Sequence, residues 1–397
     1  MMKVSKRLNS LSRSATLAMN QRSREMILEG INVINLSIGE PDFDTPDHIK
    51  QAAIQAIHDN FTHYPPVHGF LDLREAFCAK LRRDNQLNYS VDEVIVSNGG
   101  KQSIANVMMS LINPGDEVII PAPYWVSYPE IVKLAEGTAV YINAGISQDF
   151  KITPEQLEAA ITPRSKAFIF SSPSNPTGQI YSKEELADLA EVFKKNPHVY
   201  VISDEIYEHI NYTGKHETIA SFEGIREQVV IINGVSKGYA MTGWRIGFMA
   251  GPEWLVRACQ KLQGQYTSGA CSIAQKAALA ALMGDQSFIP AMVRVFAERR
   301  NLVIKRLATM EGIINQCPEG AFYVLPDVSS FYGKANGSNV INDCNDIAMY
   351  LLSEAHVATV GGSAFGAPDT IRFSYATSTD ILDEGLTRIQ EALDKLQ

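Results

Sequence analysis

The sequence predicts an α/β fold in which helices cover both faces of a mostly parallel central sheet, with a smaller α+β domain attached. Apolar runs through the middle of the chain predict the strands of that sheet: 94–96, 118–120, 167–170, 199–202 and 229–232. Each run is almost continuously apolar, which is typical of strands buried on both faces of a parallel sheet.

Helical patterns fill the intervals between these runs. Over 183–194, for example, Leu186, Leu189 and Phe193 recur at the spacing of one helix face. Repeated β-α units of about 30 residues predict right-handed crossovers and an open sheet.

The pattern changes after residue 275. A helix-like run over 275–310 precedes two apolar runs, at 321–325 and 371–375, and an amphipathic terminal helix, while the polar segment 333–339 predicts a surface loop. This mixture is typical of a smaller α+β domain. We therefore predict a large domain over 46–285, and a small domain with an N-terminal arm from 1–45 together with 286–397.

Composition excludes several functional classes. The chain has 397 residues, a formal net charge of −9 and five scattered cysteines without a C-x-x-C pair. The acidic balance argues against nucleic acid or an anionic membrane as the main partner. The cysteines predict reduced thiols in a cytoplasmic protein and no zinc site. The acid-poor start before Glu25 resembles a transit peptide superficially, so a targeting role there stays open.

Polar residues follow several predicted strands, at the edge where the carboxyl ends of parallel strands meet. After the first strand, Gly99, Gly100 and Lys101 lead into an apolar helix. Backbone N–H groups at such a helix start can bind a phosphate, although a plain strand-to-helix turn explains the glycines equally well.

The next two loops carry an amide and a carboxylate. Asn175 lies between two prolines, where it can hydrogen-bond a ring hydroxyl or simply form a turn. Asp204 ends an apolar strand and is followed by Tyr207. It can be a helix cap or the partner of a protonated ring nitrogen.

The segment 236–245 completes the set. Lys237 can condense with an aldehyde, while Ser236 and Arg245 offer a hydroxyl and a fixed cation for a phosphate. With Asn175 and Asp204 at the same sheet edge, these residues predict a site for pyridoxal 5′-phosphate.

The chain resembles, almost end to end, the fold-type I pyridoxal-phosphate enzymes, and among them the class I aminotransferases of aspartate type. The motifs that carry this resemblance, in chain order, are Ile38-Gly39-Glu40-Pro41-Asp42-Phe43, Pro121-Ala122-Pro123-Tyr124-Trp125, Asn175-Pro176-Thr177-Gly178, Ser203-Asp204-Glu205-Ile206-Tyr207, Ser236-Lys237 to Arg245, and Arg372-Phe373-Ser374-Tyr375-Ala376.

The resemblance implies a role for each site residue. Lys237 would bond to the cofactor and later move the proton, and Asp204 would hold the ring nitrogen protonated. Asn175 and Tyr207 would bind the ring 3-oxygen, with Trp125 stacked on the ring. The phosphate would be bound by Ser236, Arg245 and the backbone amides of Gly100 and Lys101. Substrate contacts would come from Trp125, Asn175, Gly39 and above all Arg372, which would grip the α-carboxylate.

The resemblance further implies a homodimer with shared sites, because similar proteins have a tyrosine matching Tyr64 that reaches the neighbouring subunit's phosphate. The implied reaction moves an amino group from an L-amino acid, in first place aspartate, to 2-oxoglutarate by a ping-pong mechanism. Arg13, Ser14 and Thr16 are candidates for binding a distal carboxylate.

Other functions stay open at this point. Aromatic amino acids, prephenate or alanine could replace aspartate, and a carbon-sulfur or ring-forming lyase of the same fold would keep the same residues. A regulator that binds amino acid and cofactor without turnover would need a partner-binding domain, and we find no spare region for one before the first motif.

Overall fold

The computed structural model describes residues 4–397. The helices are α1 (Lys6–Asn9), α2 (Ala15–Leu28), α3 (Asp47–His58), α4 (Leu71–Asn85), α5 (Gly100–Leu111), α6 (Ser127–Leu134), α7 (Pro154–Ala160), α8 (Lys183–Lys195), α9 (Glu253–Tyr266), α10 (Ser272–Met283), α11 (Phe288–Leu307), α12 (Cys344–Glu354) and α13 (Thr379–Leu393). The strands are β1 (Ile34–Asn35), β2 (Val94–Ser97), β3 (Glu117–Ala122), β4 (Thr138–Asn143), β5 (Ser165–Ser171), β6 (Tyr200–Asp204), β7 (Val229–Gly234), β8 (Gly247–Ala250), β9 (Tyr323–Val324), β10 (Ala335–Asn336), β11 (Asn339–Val340), β12 (Val357–Ala358), β13 (Val360–Gly361) and β14 (Ile371–Ser374).

A seven-stranded sheet in the order β2-β8-β7-β6-β5-β3-β4 forms the centre of the chain. Only β8 runs antiparallel to its neighbours, so the other strands all point the same way. Their carboxyl ends therefore share one edge, and β6 ends there with Asp204 paired beside Ile232 of β7.

Both faces of this sheet are covered. Side chains alternate between two cores: Phe168, Val201 and Ile231 point to one, and Ile169, Ile202 and Ile232 to the other. Helices α3, α4, α8 and α10 contribute to the first core, and α5, α6 and α9 to the second. Cover on both faces explains why the strand sequences are continuously apolar.

A third core, the small-domain core, lies around the sheet β13-β14-β9. Helices α11, α12 and α13 pack there, and β1 joins through its parallel pairing with β12. Tyr207 and Ile210, from the loop after β6, insert into the small-domain core. The loop that follows Asp204 thus connects the two halves of the chain.

The fold class predicted from the sequence is confirmed, with corrections in detail. All five predicted central strands form, but β4 and β8 were not anticipated. The single helix predicted over 275–310 is wrong. Helix α10 ends at Met283 and α11 begins at Phe288, and the backbone is extended at Gly284 between them. A side chain at Gly284 would collide with the Ala280 carbonyl and the His48 ring. The segment 333–339 is a small hairpin formed by β10 and β11.

The domain boundaries stay a prediction. Apolar residues of the first core run from Ile49 to Leu282, and those of the small-domain core include Ile34, Leu36 and residues from 292 onward, which supports the division at 46 and 285. None of the helices formed by residues 4–397 is both long and apolar enough to cross a membrane.

Candidate active site

A cavity of about 460 Å³ opens at the carboxyl edge of the central sheet, between that sheet and the small-domain core. Its walls include the site residues predicted from the sequence except Tyr64 and Arg13: Gly39, Gly100, Lys101, Trp125, Asn175, Asp204, Tyr207, Ser236, Lys237, Arg245 and Arg372, with Ser14 and Thr16 of the arm. Residues more than 300 positions apart in the sequence therefore meet in one place. Their individual roles stay predictions.

One end of the cavity is built to hold an anion. Helix α5 begins at Gly100, so the N–H groups of Gly100 and Lys101 have no partner within the helix. Gly99 has a positive φ of 82°, and a side chain there would collide with the Arg245 guanidinium. Among residues 4–397, that guanidinium donates only to the backbone carbonyls of Thr242 and Asn98, at 2.9 and 3.3 Å. An unpaired cation and free amides thus converge on one spot.

Asp204 lies deep in the cavity wall with 6% of its surface exposed. Burial raises the pKa of its carboxyl group to about 6. The Tyr128 hydroxyl, which donates to Oδ2 at 2.7 Å, and the Ile206 N–H act in the opposite direction and favour the ionised form. The carboxylate forms no ion pair with any other residue of 4–397, and its partners are the Tyr128 hydroxyl and the Ile206 N–H. A cationic group of a ligand could therefore pair with it.

Lys237 follows β7 and reaches into the same space. Its Nζ donates to the Gly39 carbonyl at 2.5 Å. Burial lowers the pKa of this ammonium group to about 8; Glu40 partly offsets the shift, and the cations Arg245 and Arg372 add to it. An amine that loses its proton this readily is suited to nucleophilic attack and proton transfer near neutral pH.

Arg372, on β14, occupies the opposite end and is 2% exposed. Its Nη1 donates to Asn175 Oδ1 at 2.9 Å and its Nη2 to the Ser37 carbonyl at 2.6 Å, while Nε has no partner. No acidic side chain pairs with it in the described part of the chain. A buried guanidinium without a counterion has the charge and the N–H donors that can bind a ligand carboxylate.

The N-terminal arm covers the mouth of the cavity. Hydrogen bonds from Ser12 N to Glu130, at 2.7 Å, and from Arg7 to Glu136 tie it to α6 and the turn that follows. Ser14 and Thr16 line the cavity as predicted for substrate candidates, but Arg13 does not. Arg13 comes just before Ser14, whose side chain caps the N-terminus of α2.

Tyr64 is outside the cavity, with 95% of its surface exposed. A separate open groove runs past Arg245 on the protein surface, lined by Thr45, Asn98, Cys271 and Ala274 among others.

Comparison with known proteins identifies the family. The family model described as Aminotransferase class I and II matches residues 31–389, which is most of the chain. The chain belongs to this aminotransferase family. The family and the enzyme class predicted from the sequence motifs are thereby confirmed.

Close relatives of this aminotransferase have consistent names. It is 50% identical over 380 residues to the aspartate/prephenate aminotransferase of Cereibacter sphaeroides, with 95% of each chain covered. Among solved structures, it matches the aspartate aminotransferase of Rhizobium meliloti with a TM-score of 0.97 at 44% identity, covering 100% of both chains. The Thermus thermophilus aspartate aminotransferase with maleate gives 0.93 at 39% identity, covering 99% and 100%.

Several cavity residues of the aminotransferase were missed by the sequence reasoning. Tyr128 contacts Asp204, Tyr323 contacts Tyr207, and the Lys101 side chain itself faces the cavity with its Nζ 4.8 Å from the centre of the Trp125 ring. Tyr128 lies three positions after Trp125, so helical spacing could have found it. Tyr323 has no such signal, because it comes from a different sheet.

A buried acidic cluster lies behind the loop that follows β6 of the aminotransferase. Glu205, Glu208 and His216 are close enough together to hold a metal ion. Lys80 and Asn85 already bind Glu208, and His216 and Thr218 bind Glu205. The chain thus supplies its own cations to these carboxylates, and the cluster serves as an ion-pair network under the Asp204 loop.

Proposed function

We propose that this aminotransferase uses pyridoxal 5′-phosphate to move the amino group between aspartate and 2-oxoglutarate. One observation carries the proposal. A single cavity holds a buried lysine with a lowered pKa, a buried carboxylate without an ion pair and a buried guanidinium without a counterion. Each of these groups lacks a partner of the kind that the cofactor and a 2-amino acid would provide.

The residues fit the cofactor at four points. The free amides of α5, with Ser236 and Arg245, would hold its phosphate. Asp204 would pair with the protonated ring nitrogen. Asn175 and Tyr207, which are 7% and 4% exposed, would bind the ring oxygen. Trp125 would cover one ring face.

When bound, the cofactor supplies an aldehyde that carries the amino group and a ring that accepts electrons. The chain's own residues do the rest. Lys237 would take the proton from the substrate α-carbon, since a pKa lowered to about 8 makes its neutral amine far more accessible near neutral pH than that of an ordinary lysine. Asp204 would keep the ring nitrogen charged, and Arg372 would fix the α-carboxylate so that the α-hydrogen faces Lys237.

Specificity for a dicarboxylate needs a second cation, for which Lys101 is our candidate. Its ammonium group lines the cavity above Trp125, and burial together with Arg245 lowers its pKa, as expected of a cation with no nearby acid. Ser14 and Thr16 add hydroxyl groups on the arm side. Arg372 would thus bind one carboxylate and Lys101 the distal one.

Prephenate is a second candidate substrate. Several relatives at 46–50% identity are named aspartate/prephenate aminotransferase. Prephenate is also a 2-oxo acid with a distal carboxylate, so the same two cations would bind it. Transfer from the aminated enzyme to prephenate, measured beside 2-oxoglutarate, tests this; no transfer would exclude it.

The proposed function predicts a specific spectral response. Purified holoenzyme mixed with aspartate or glutamate should lose its visible absorbance within a single turnover, and 2-oxoglutarate should restore it. Alanine should act much more weakly, because it leaves Lys101 without a partner. A response to aromatic or small neutral amino acids alone would keep the reaction class and reject the dicarboxylate assignment.

Two variants separate the carboxylate sites in that assay. Arg372→Lys should weaken aspartate and alanine alike, by about 10- to 100-fold in kcat/KM, because a lysine cannot bind a carboxylate bidentately. Lys101→Met should weaken aspartate by a similar factor and leave alanine unchanged, because only the distal carboxylate loses its cation. Equal losses for both amino acids in Lys101→Met would reject its role in specificity.

We also propose a homodimer in which Tyr64 of one subunit reaches the phosphate end of the other subunit's cavity. The exposure of Tyr64 and the groove beside Arg245 support this arrangement. Mixing two inactive variants, Lys237→Ala and Tyr64→Ala, should restore activity, because a mixed dimer contains one intact site. A protein that sediments as a monomer at micromolar concentration would contradict the proposal.

We finally propose a cytoplasmic location, as the sequence predicts. Its support is that all five cysteines are free in the structure, which is typical of a reducing compartment. Fractionation of the source cells tests it, and recovery of the protein in an organelle would point to a targeting role of the N-terminus.

A further inference from the structure

Tyr323 lies at the centre of the cavity wall, although none of the roles above uses it. It sits on β9, where it pairs with Ser374 of β14, and its side chain is fully buried. It touches three parts of the proposed machinery: Tyr207, Arg372 and Gly39.

The first contact is a hydrogen bond of 2.8 Å between the hydroxyl oxygens of Tyr323 and Tyr207. Burial raises the pKa of both phenols, so both keep their protons at neutral pH. Tyr207 has one proton to donate. If it gives that proton to a ligand oxygen, its own oxygen must accept the hydrogen bond, and Tyr323 is the donor in place. Accepting this bond also makes Tyr207 a stronger donor.

The second contact is between the Tyr323 ring and the Arg372 guanidinium. The guanidinium carbon lies 4.5 Å from the Tyr323 ring centre and 4.8 Å from that of Phe365. Two aromatic rings therefore stabilise a buried cation that has no acidic partner in the described chain. They also fix the plane in which the guanidinium can offer its N–H groups.

The third contact is steric. A side chain at position 39 would collide with the Tyr323 hydroxyl. The carbonyl of Gly39 accepts the hydrogen bond from Lys237 Nζ. Tyr323 therefore packs against the residue whose backbone holds the lysine amine.

We propose that Tyr323 is a positioning residue with two separable roles: its hydroxyl directs the Tyr207 proton toward the cofactor, and its ring holds Arg372 ready for the substrate carboxylate. This inference rests on the proposed function, since it requires the cofactor at Tyr207 and the carboxylate at Arg372.

The hydroxyl role is tested with Tyr323→Phe, which removes one oxygen and keeps the ring. The readout is the pH midpoint of the visible absorbance of the holoenzyme, a property that does not depend on turnover. The midpoint should rise by about half a unit to one unit, because Tyr207 becomes a weaker donor to the ionised ring oxygen. The dissociation constant for succinate, a dicarboxylate without an amine, should stay within about twofold of wild type, because the ring under Arg372 remains.

The ring role is tested with Tyr323→Leu. Succinate affinity should fall about tenfold, because Arg372 loses one of its two aromatic partners. The matched control for Tyr323→Phe is Tyr375→Phe, which removes the hydroxyl of another fully buried tyrosine. The Tyr375 hydroxyl donates to the Ala321 carbonyl, away from the cavity. It should alter neither the midpoint nor the succinate affinity.

Two outcomes would overturn the inference. A midpoint in Tyr323→Phe equal to that of wild type and of Tyr375→Phe would remove the hydroxyl role. Equal succinate affinities in Tyr323→Phe and Tyr323→Leu would remove the ring role. The comparison remains valid if the leucine variant is less stable, because the dissociation constant is measured on the folded protein. A wild-type holoenzyme without a visible band would instead reject the proposed function itself.

Discussion

Replacing Lys237 by alanine is expected to reduce kcat by about 10⁴-fold or more and to remove the visible absorbance of the bound cofactor. Both losses have the same cause, because one amine would bond to the cofactor and later move the substrate proton. The buried Nζ with its pKa lowered to about 8 is the only lysine nitrogen of the described chain that hydrogen-bonds the Gly39 carbonyl. The other lysine in the cavity wall, Lys101, extends over the Trp125 ring instead.

Lys237→Arg separates charge from chemistry in this experiment. Arginine keeps the positive charge but does not lose its proton in proteins, so it can neither attack an aldehyde nor accept the α-proton. We expect it to be as inactive as Lys237→Ala, measured as single-turnover rates with aspartate. Near-normal turnover in either variant would reject the assignment of Lys237 and, with it, the proposed mechanism.

The sequence predicted the centre of the fold well because burial on both sheet faces leaves a strong signal. Strands such as β5 and β6 are apolar at successive positions, and their short length and their β-branched and aromatic residues favour a buried strand over a buried helix. Two strands were not predicted, for different reasons. Strand β4 lies at the sheet edge and is largely exposed, so its sequence lacks the continuous apolar run. Strand β8 is buried and apolar, but it has only four residues and runs antiparallel between β2 and β7, outside the repeated β-α pattern.

Residues of the candidate site were predicted where loops follow strands, since topology brings those loops to one edge. Asn175, Asp204 and Lys237 all come from such loops. Tyr323 could not be found in this way. It is 116 positions from Tyr207 and belongs to a different sheet, so their hydrogen bond depends on how the central sheet and the small-domain sheet meet.

The sequence also could not predict the direction in which a side chain points. Lys101 was assigned through its backbone, because a glycine pair before a helix indicates amides that bind phosphate. Its ammonium group instead extends over Trp125 into the cavity, which only the placement of α5 beside α6 reveals. For Arg13 the sequence predicted a side chain in the site, but the structure does not place one there. Arg13 precedes α2 and is not part of the cavity wall.

Asp204→Asn is expected to lower kcat by about 10²- to 10³-fold with little change in KM. The substitution keeps the shape of the side chain, and an asparagine oxygen can still accept the Tyr128 hydrogen bond that the structure shows at 2.7 Å. What it removes is a negative charge in a site where burial has already raised the pKa to about 6. Above that pH the wild-type carboxylate is ionised, and a cationic ring nitrogen would be stabilised by it.

Glu205→Gln is the matched control, because it makes the same change at the next residue, which is also buried but faces His216 behind the sheet. Saturating aspartate and 2-oxoglutarate isolate kcat in both variants. A large loss in Asp204→Asn and a loss of a few-fold at most in Glu205→Gln would assign the effect to the Asp204 charge. Equal losses would instead assign it to the stability of the shared loop, and the electrostatic role of Asp204 in the mechanism would have to be abandoned.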